Sequence, residues 1–173
     1  MDVLEAIKKR HSVRAFLDKE VDESVVREII EVSKQSPSGV NSQPWKVYAV
    51  LGKARDNLVK EACEKFDAGS WESEEYQVYP NKENMPDWYK ARQRACGFGM
   101  YGVLGIERED REKRTAQARK NYELFGAPVG LFISVNKAVG PNGWGHVGHF
   151  VQSICLAAVG SGLGTCLQEA WAV

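Results

Sequence analysis

The sequence predicts a domain of mixed helix and strand. Two runs, 45–51 and 129–135, are apolar on nearly both sides, as in strands buried on both faces. Around them apolar residues recur at helical spacing, most clearly Val147, Phe150, Val151, Ile154, Cys155 and Ala158. At 173 residues, 43% apolar and 27% charged, the chain suits one ordinary globular core and is short for two.

Asp2 caps a first helix with Val3, Leu4 and Ile7 on one face, running into Lys8-Lys9-Arg10. A basic bend follows, Arg10-His11-Ser12-Val13-Arg14-Ala15-Phe16, which offers fork-shaped donors to an anion before returning to an apolar anchor. Taken alone, such a cluster reads as a solvated turn; three downstream stretches suited to the same small anionic ligand argue for more. Asp22 caps a second helix with an inner stripe of Val25, Val26, Ile29, Ile30 and Ser33, expected to stop at Ser36-Pro37. The stretch from Ser36 to Trp45 is rich in hydroxyls, amides and glycine, either a ligand lining or a plain connector.

After the first strand a helix is expected at about 53–66. Residues 67–90 hold Trp71, Tyr76, Tyr79, Trp88 and Tyr89 among acids, with Pro80 and Pro86 as breakers. An irregular segment of this length suggests a lid, an insertion or a pocket wall. Its aromatics either stack on a planar substrate or pin the segment to the surface. Helices follow at about 88–104 and 108–125, then Gly126-Ala127-Pro128 and the second strand. Asn142-Gly143 opens the longest helix. It finishes in Gly160-Ser161-Gly162-Leu163-Gly164, and Thr165-Cys166-Leu167-Gln168 reads as a further strand. There are no internal repeats.

Several functional classes are disfavoured. Lys+Arg and Asp+Glu balance at 23 each, so no net field argues for nucleic acid or an anionic membrane. No run approaches the roughly 18 apolar residues of a spanning helix. The acidic N-terminus lacks the pattern of a signal peptide, and the expected location is cytoplasmic. The four cysteines have scattered spacings and read as thiols, mostly buried. Glycines 160, 162 and 164 follow a helix rather than a strand, which excludes a dinucleotide fingerprint and suggests a helix C-terminus. His146 and His149 lie three apart without an acid or cysteine at ligand spacing, so no metal is expected. Paired catalytic carboxylates, a nucleophile elbow and a Walker loop are absent. Any chemistry therefore belongs to a bound cofactor, with no catalytic side chain of its own.

Four segments in register resemble the FMN-dependent nitroreductase family. They are Arg10 to Phe16; Pro37-Ser38-Gly39-Val40-Asn41-Ser42-Gln43-Pro44-Trp45; Phe125-Gly126-Ala127-Pro128-Val129; and Gly162-Leu163-Gly164-Thr165-Cys166-Leu167-Gln168-Glu169-Ala170-Trp171. The middle region, including Tyr101-Gly102-Val103-Leu104-Gly105-Ile106, resembles the nitrobenzoate-reductase-like branch. The resemblance implies one α+β domain over 1–173, a mostly antiparallel sheet surrounded by helices, and a homodimer with two FMN sites at its interface. NAD(P)H would be the co-substrate and a nitroaromatic or similar planar aromatic compound the acceptor. It further implies that Arg10, His11 and Ser12 hold the FMN phosphate and ribityl end, and that Arg14 lies by the pyrimidine edge and tunes the flavin. Pro37, Ser38, Gly39 and Asn41 would reach in from the other subunit, while Gln168, Glu169 and Ala170 run along the flavin near N5.

Family members continue well past the Gln-Glu-Ala-Trp segment, with a tail that adds phosphate ligands and a strand crossing to the partner. This sequence stops at Val173. The expectation is thus a C-terminally shortened member. Two alternatives stay open: a truncated, non-catalytic flavin-binding subunit that pairs with a full-length relative, and a reductive dehalogenase or flavin-destructase reaction on the same fold.

Overall fold

The computed structural model describes residues 1–70 and 81–172. Among them run helices α1 (Val3–Lys9) and α2 (Glu23–Ser33), strand β1 (Trp45–Leu51), and helices α3 (Gly52–Ala68), α4 (Asp87–Val103) and α5 (Arg111–Arg119). Strand β2 (Val129–Val135) and helix α6 (Asn142–Gly160) follow. The α+β expectation holds: helices accompany a small sheet in which β1 and β2 pair antiparallel, Trp45 opposite Val135 and Leu51 opposite Val129. No helix among the described residues is long and apolar enough to cross a membrane. The chain divides into two compact units, Met1–Leu58 with Phe125–Leu167, and Val59–Leu124 with Gln168–Val173.

The first unit is built on α6. Phe150, Ile154 and Ala158 recur every four residues and so share one face. They are buried with Ile29 of α2, and Trp45, Val47, Leu131 and Ile133 of the sheet pack against them. Phe150 is wholly buried and stacks on Trp45, ring centroids 4.5 Å apart and planes within 2°.

Strand β1 is not buried on both faces as expected, whereas on the alternate face of β2 Gly130 is buried and Phe132 half-buried. Trp45 and Val47, with Leu131 and Ile133, point to α6, whereas Lys46 and Tyr48 on the alternate face are exposed. Lys46 instead places its ammonium 5.0 Å from the Tyr48 ring centre. A run of apolar residues permits two-faced burial, but burial also needs a second covering layer, which sequence pattern does not report.

Helix α1 differs too. Asp2 caps it as expected, accepting from the Glu5 N–H at 2.8 Å. Yet Ala6 is the buried residue, while Val3, Leu4 and Ile7 are 68%, 70% and 50% exposed. Helix α2 begins at its Asp22 cap and buries Val26, Ile29 and Ser33, but it ends at Ser33, three residues before Ser36. There the Ser33 hydroxyl donates back to the Ile29 carbonyl at 2.7 Å, and the chain turns through Ser36, whose N–H donates to the Ser33 carbonyl.

Helix α6 closes as its glycines suggest. Gly162 adopts φ +78°, its N–H reaches the Val159 carbonyl, and the Leu163 N–H reaches the Ala158 carbonyl at 2.8 Å. This is a Schellman cap, with Leu163 packed on the core below it. The strand expected over 165–168 is reduced to an isolated parallel bridge between Ser12 and Thr165.

In the second unit the expected helix over 108–125 is shorter. Asp110 caps α5 by accepting from the Lys113 N–H, but the helix stops at Arg119. The Asn121 side chain then donates to the Ala118 carbonyl, competing with helical bonding, and Leu124 takes φ +54°. Tyr122 is the hub. It packs on Phe66 and Trp171 at 5.2 and 5.7 Å, its hydroxyl donates to the Ala170 carbonyl, and Trp171 Nε1 donates to the Asn121 carbonyl. Of the region read as a lid, Trp71, Tyr76, Tyr79 and Pro80 lie outside the described residues. Trp88 and Tyr89 sit edge to face in the first turn of α4. Cys63 and Cys155 are buried, Cys166 is half-buried and Cys96 is exposed.

Arg119 grips Asp67 with two parallel bonds, Nε to Oδ1 at 2.8 Å and Nη2 to Oδ2 at 3.0 Å. Its hydrogen bonds hold the Asp67 carboxyl below the usual carboxylate range. The folded state therefore binds the proton less tightly than the unfolded chain. The pair's contribution is present above the unfolded pKa and is lost as pH falls through the folded one. Arg119→Ala should lower the thermal midpoint most at neutral pH, with the gap to the parent narrowing on acidification. Midpoints measured across an acid pH series check this; a gap that does not narrow would refute it.

Candidate functional site

The basic bend begins where α1 ends. Arg10 leaves the helix in an extended conformation, its N–H still bonded to the Ala6 carbonyl at 2.9 Å. Two apolar residues then pin the bend. The Val13 N–H donates to the Thr165 carbonyl at 2.9 Å, and Phe16 N–H reaches the Phe125 carbonyl at 3.4 Å. Val13 lies so close to Gly164 that a methyl there would meet Val13 Cγ2 at 2.9 Å, and Phe16 borders the same point. Anchoring at Val13 and Phe16 leaves the polar residues between and before them for other partners.

Among the described residues Arg10 and Arg14 take up no partner, neither guanidinium forming an ion pair or hydrogen bond with any of them. Arg10 is half-buried and Arg14 exposed. Neighbouring Lys9 is occupied, 2.7 Å from Glu5, whose carboxyl its hydrogen bond holds below the ordinary value. His11 Nδ1 lies 2.9 Å from the Lys9 carbonyl. With Lys9, Gly162, Leu163 and Gly164, His11 and Val13 line an open depression at the C-terminal end of α6. Thr165 Oγ1 is shut off from solvent without a hydrogen-bond partner. Two guanidinium forks uncommitted among the described residues suit a ligand with an anionic group.

The second predicted stretch, Pro37 to Gln43, is a strained loop. Val40, Asn41 and Gln43 take φ of +50°, +54° and +42°, and Val40 is 100% exposed. Left-handed backbone costs a non-glycine residue about 1–3 kcal/mol and persists only where the surroundings over-determine it. Here Asn41 N–H donates to the Ser38 carbonyl, Gln43 N–H to Ser38 Oγ, and Gln43 Nε2 to the Lys34 carbonyl. The loop is also tied to α6. Gly39 N–H meets His146 Nε2, the Pro37 carbonyl meets His149 Nδ1, and Ser36 Oγ meets Ser153 Oγ at 2.7 Å.

Arg10, His11, Ser12 and Arg14 are thus brought together at one end of α6. Pro37, Ser38, Gly39 and Asn41 are brought together along its N-terminal half. The two sets are not brought to each other within one chain. His146 and Gly160 are fourteen residues apart on the helix, roughly 20 Å at 1.5 Å per residue. Gln168, Glu169 and Ala170 open the C-terminal segment of the second unit. Gln168 Oε1 is enclosed without a partner, the Glu169 carbonyl accepts from Ala172 N–H, and the Ala170 carbonyl from Tyr122. His146 and His149 were legible only as metal candidates. Among the described residues no group of three or more ligating side chains could hold a metal ion. Side-chain bonds to loop backbone leave no spacing signal, so neither histidine, nor the dependence of Val13 on Gly164, was visible beforehand.

The fold and the bend describe an α+β domain with an anion-ready basic turn. Comparison with known proteins narrows the class: residues 7–173 match the model of the Nitroreductase family. The chain is 33% identical over 168 residues to the nitrobenzene nitroreductase of Ectopseudomonas oleovorans, covering 96% of this chain and 73% of that protein. It is 31% identical over 166 residues to the 4-nitrobenzoate reductase of Nocardioides sp. (strain LMS-CY), covering 95% and 67%. The crystal structure of the FMN and NADPH-dependent nitroreductase NfnB from Sphigopyxis sp. strain HMH superposes with a TM-score of 0.92. It is 38% identical, over 99% of this chain and 77% of that one. The chain belongs to the nitroreductase family.

Gly164→Ala should force Val13 and the basic bend to shift, lowering stability by about 1–3 kcal/mol. Gly160→Ala is the control, because a methyl there meets nothing within 4 Å. Urea unfolding of the two variants and the parent decides the point; equal midpoints would contradict the close approach.

Proposed function

We propose that this chain binds FMN and acts as an NAD(P)H-using oxidoreductase on nitroaromatics or similar planar acceptors. The observation that carries it is a pair of guanidiniums, Arg10 and Arg14, held in one pinned bend and without a partner among the described residues. The relatives named above support it, and the donor set fits the cofactor. Arg10 and the Ser12 hydroxyl suit a phosphate monoester, for which a planar fork is the matching donor. Bound there, FMN would supply the two-electron chemistry itself, and a protein nucleophile is not required.

The chain's own part is electrostatic and positional. Arg14 is a fixed positive charge that would face negative charge on the reduced ring system; such a charge stabilises best when nothing else compensates it. Pro37, Ser38, Gly39 and Asn41 would complete the site from a second copy of the chain. Two features favour that dimer: the roughly 20 Å along α6 that separates this loop from the bend, and the exposed Val3, Leu4 and Ile7 beside the bend.

The purified protein should carry or take up FMN, and its flavin absorbance should bleach on adding NAD(P)H. Arg10→Ala should weaken FMN binding about ten- to a hundredfold, the loss of a charge-assisted bond. Arg14→Ala should lower the flavin's reduction potential more than it lowers affinity. Absorbance titration and spectroelectrochemistry separate the two, and a protein that neither carries nor takes up FMN would overturn the proposal.

A further inference from the structure

His146, His149 and Ser153 stand at i, i+3 and i+7 on α6, a polar stripe on a helix otherwise rich in apolar residues. All three engage one short stretch of main chain and side chain, from Ser36 to Gly39. Gly39 N–H lies 3.3 Å from His146 Nε2, and the Pro37 carbonyl lies 3.3 Å from His149 Nδ1. A backbone N–H can only donate, so His146 Nε2 is the unprotonated nitrogen. A carbonyl can only accept, so His149 carries its hydrogen on Nδ1. One imidazole therefore works as acceptor and the other as donor, on loop residues either side of Ser38. The approach is tight as well: a methyl on Gly39 would meet His146 Nε2 at 3.2 Å and Cε1 at 3.4 Å.

The loop needs such ties. Val40 is wholly exposed and has no packing to hold its left-handed backbone. The bonds inside the loop set its shape; its orientation is set by the bond from Gln43 to the Lys34 carbonyl at the end of α2 and by the bonds to α6. Asn41, which the loop presents outward, has no side-chain partner among the described residues and depends on that orientation for its aim.

We propose that His146 and His149 are positioning residues, a two-point latch on the Pro37–Gly39 main chain that aims this loop at the cofactor. The latch stands on the hydrogen-bond geometry alone. Its effect on FMN rests on the function proposed above.

The test uses His146→Ala, His149→Ala and His146→Gln, whose Oε1 can accept where the imidazole Nε2 does but which lacks the ring. Amide hydrogen exchange over residues 37–43 is measured in the flavin-free protein, and FMN affinity by fluorescence titration. Each alanine variant should exchange about three- to tenfold faster in this segment, the effect of one net hydrogen bond, with the core of α6 unchanged. FMN binding should weaken by a similar factor, and His146→Gln should recover both. Unchanged exchange in the alanine variants overturns the latch. Faster exchange with unchanged FMN affinity overturns its role in the site. Failure of the glutamine to rescue overturns the acceptor role and leaves only the bulk of the ring. If the parent protein takes up no FMN, the proposed function fails, and the exchange measurement still decides the latch.

Discussion

Phe150 against Trp45 is the contact on which the first unit depends. The ring is fully buried and stacked face to face on an indole that begins β1, and Ile154, Ala158 and Ile29 continue the same core. Burial of large aromatic side chains is among the strongest local contributions to a core, and here it fixes the position of one helix. Helix α6 then serves as a scaffold. Its apolar face meets α2 and the sheet, its polar stripe holds the Pro37–Gln43 loop, and its Schellman cap delivers Gly164 to Val13. Both the basic bend and the Pro37–Gln43 loop are referenced to this one rigid element, which is why residues distant in sequence keep a defined geometry.

Charge is the second organising fact. The chain has no formal net charge, and several of its charged groups are paired, as with Arg119 and Asp67 or Lys9 and Glu5. Arg10 and Arg14 stand apart from that pairing. A positive pair left uncompensated in a bend that is itself pinned by Val13 and Phe16 keeps its electrostatic effect available to a ligand. An internal carboxylate partner would have satisfied the guanidiniums and removed the site.

Membership of the nitroreductase family accounts for how these features belong together. Within a single chain the bend and the strained loop lie along different parts of α6. Left-handed backbone at Val40, Asn41 and Gln43 is tolerated because bonds within the loop and to α6 over-determine it. Strain of this kind belongs where a fixed presentation of polar groups matters more than local stability.

Features set by near neighbours were legible in the sequence. The Asp2 and Asp22 caps, the full span of α6, its glycine-rich stop, the two strand segments and the four family segments could all be read directly. Each is governed by backbone preference or periodicity within a few residues. The outward face of α1, the exposed alternate face of β1, the early ends of α2 and α5, and the reduction of 165–168 to one bridge could not. Those depend on which surface finds a covering layer and on side chains such as Ser33 and Asn121 that compete with the main chain. The site divides the same way. Residue types and order announced a basic bend and a donor-rich loop, but only the folded chain showed that Gly164 seats Val13 and that two histidines bond to the main chain of the loop. Short-range chemistry is written along the chain, whereas contacts between distant segments exist only once burial has chosen their partners.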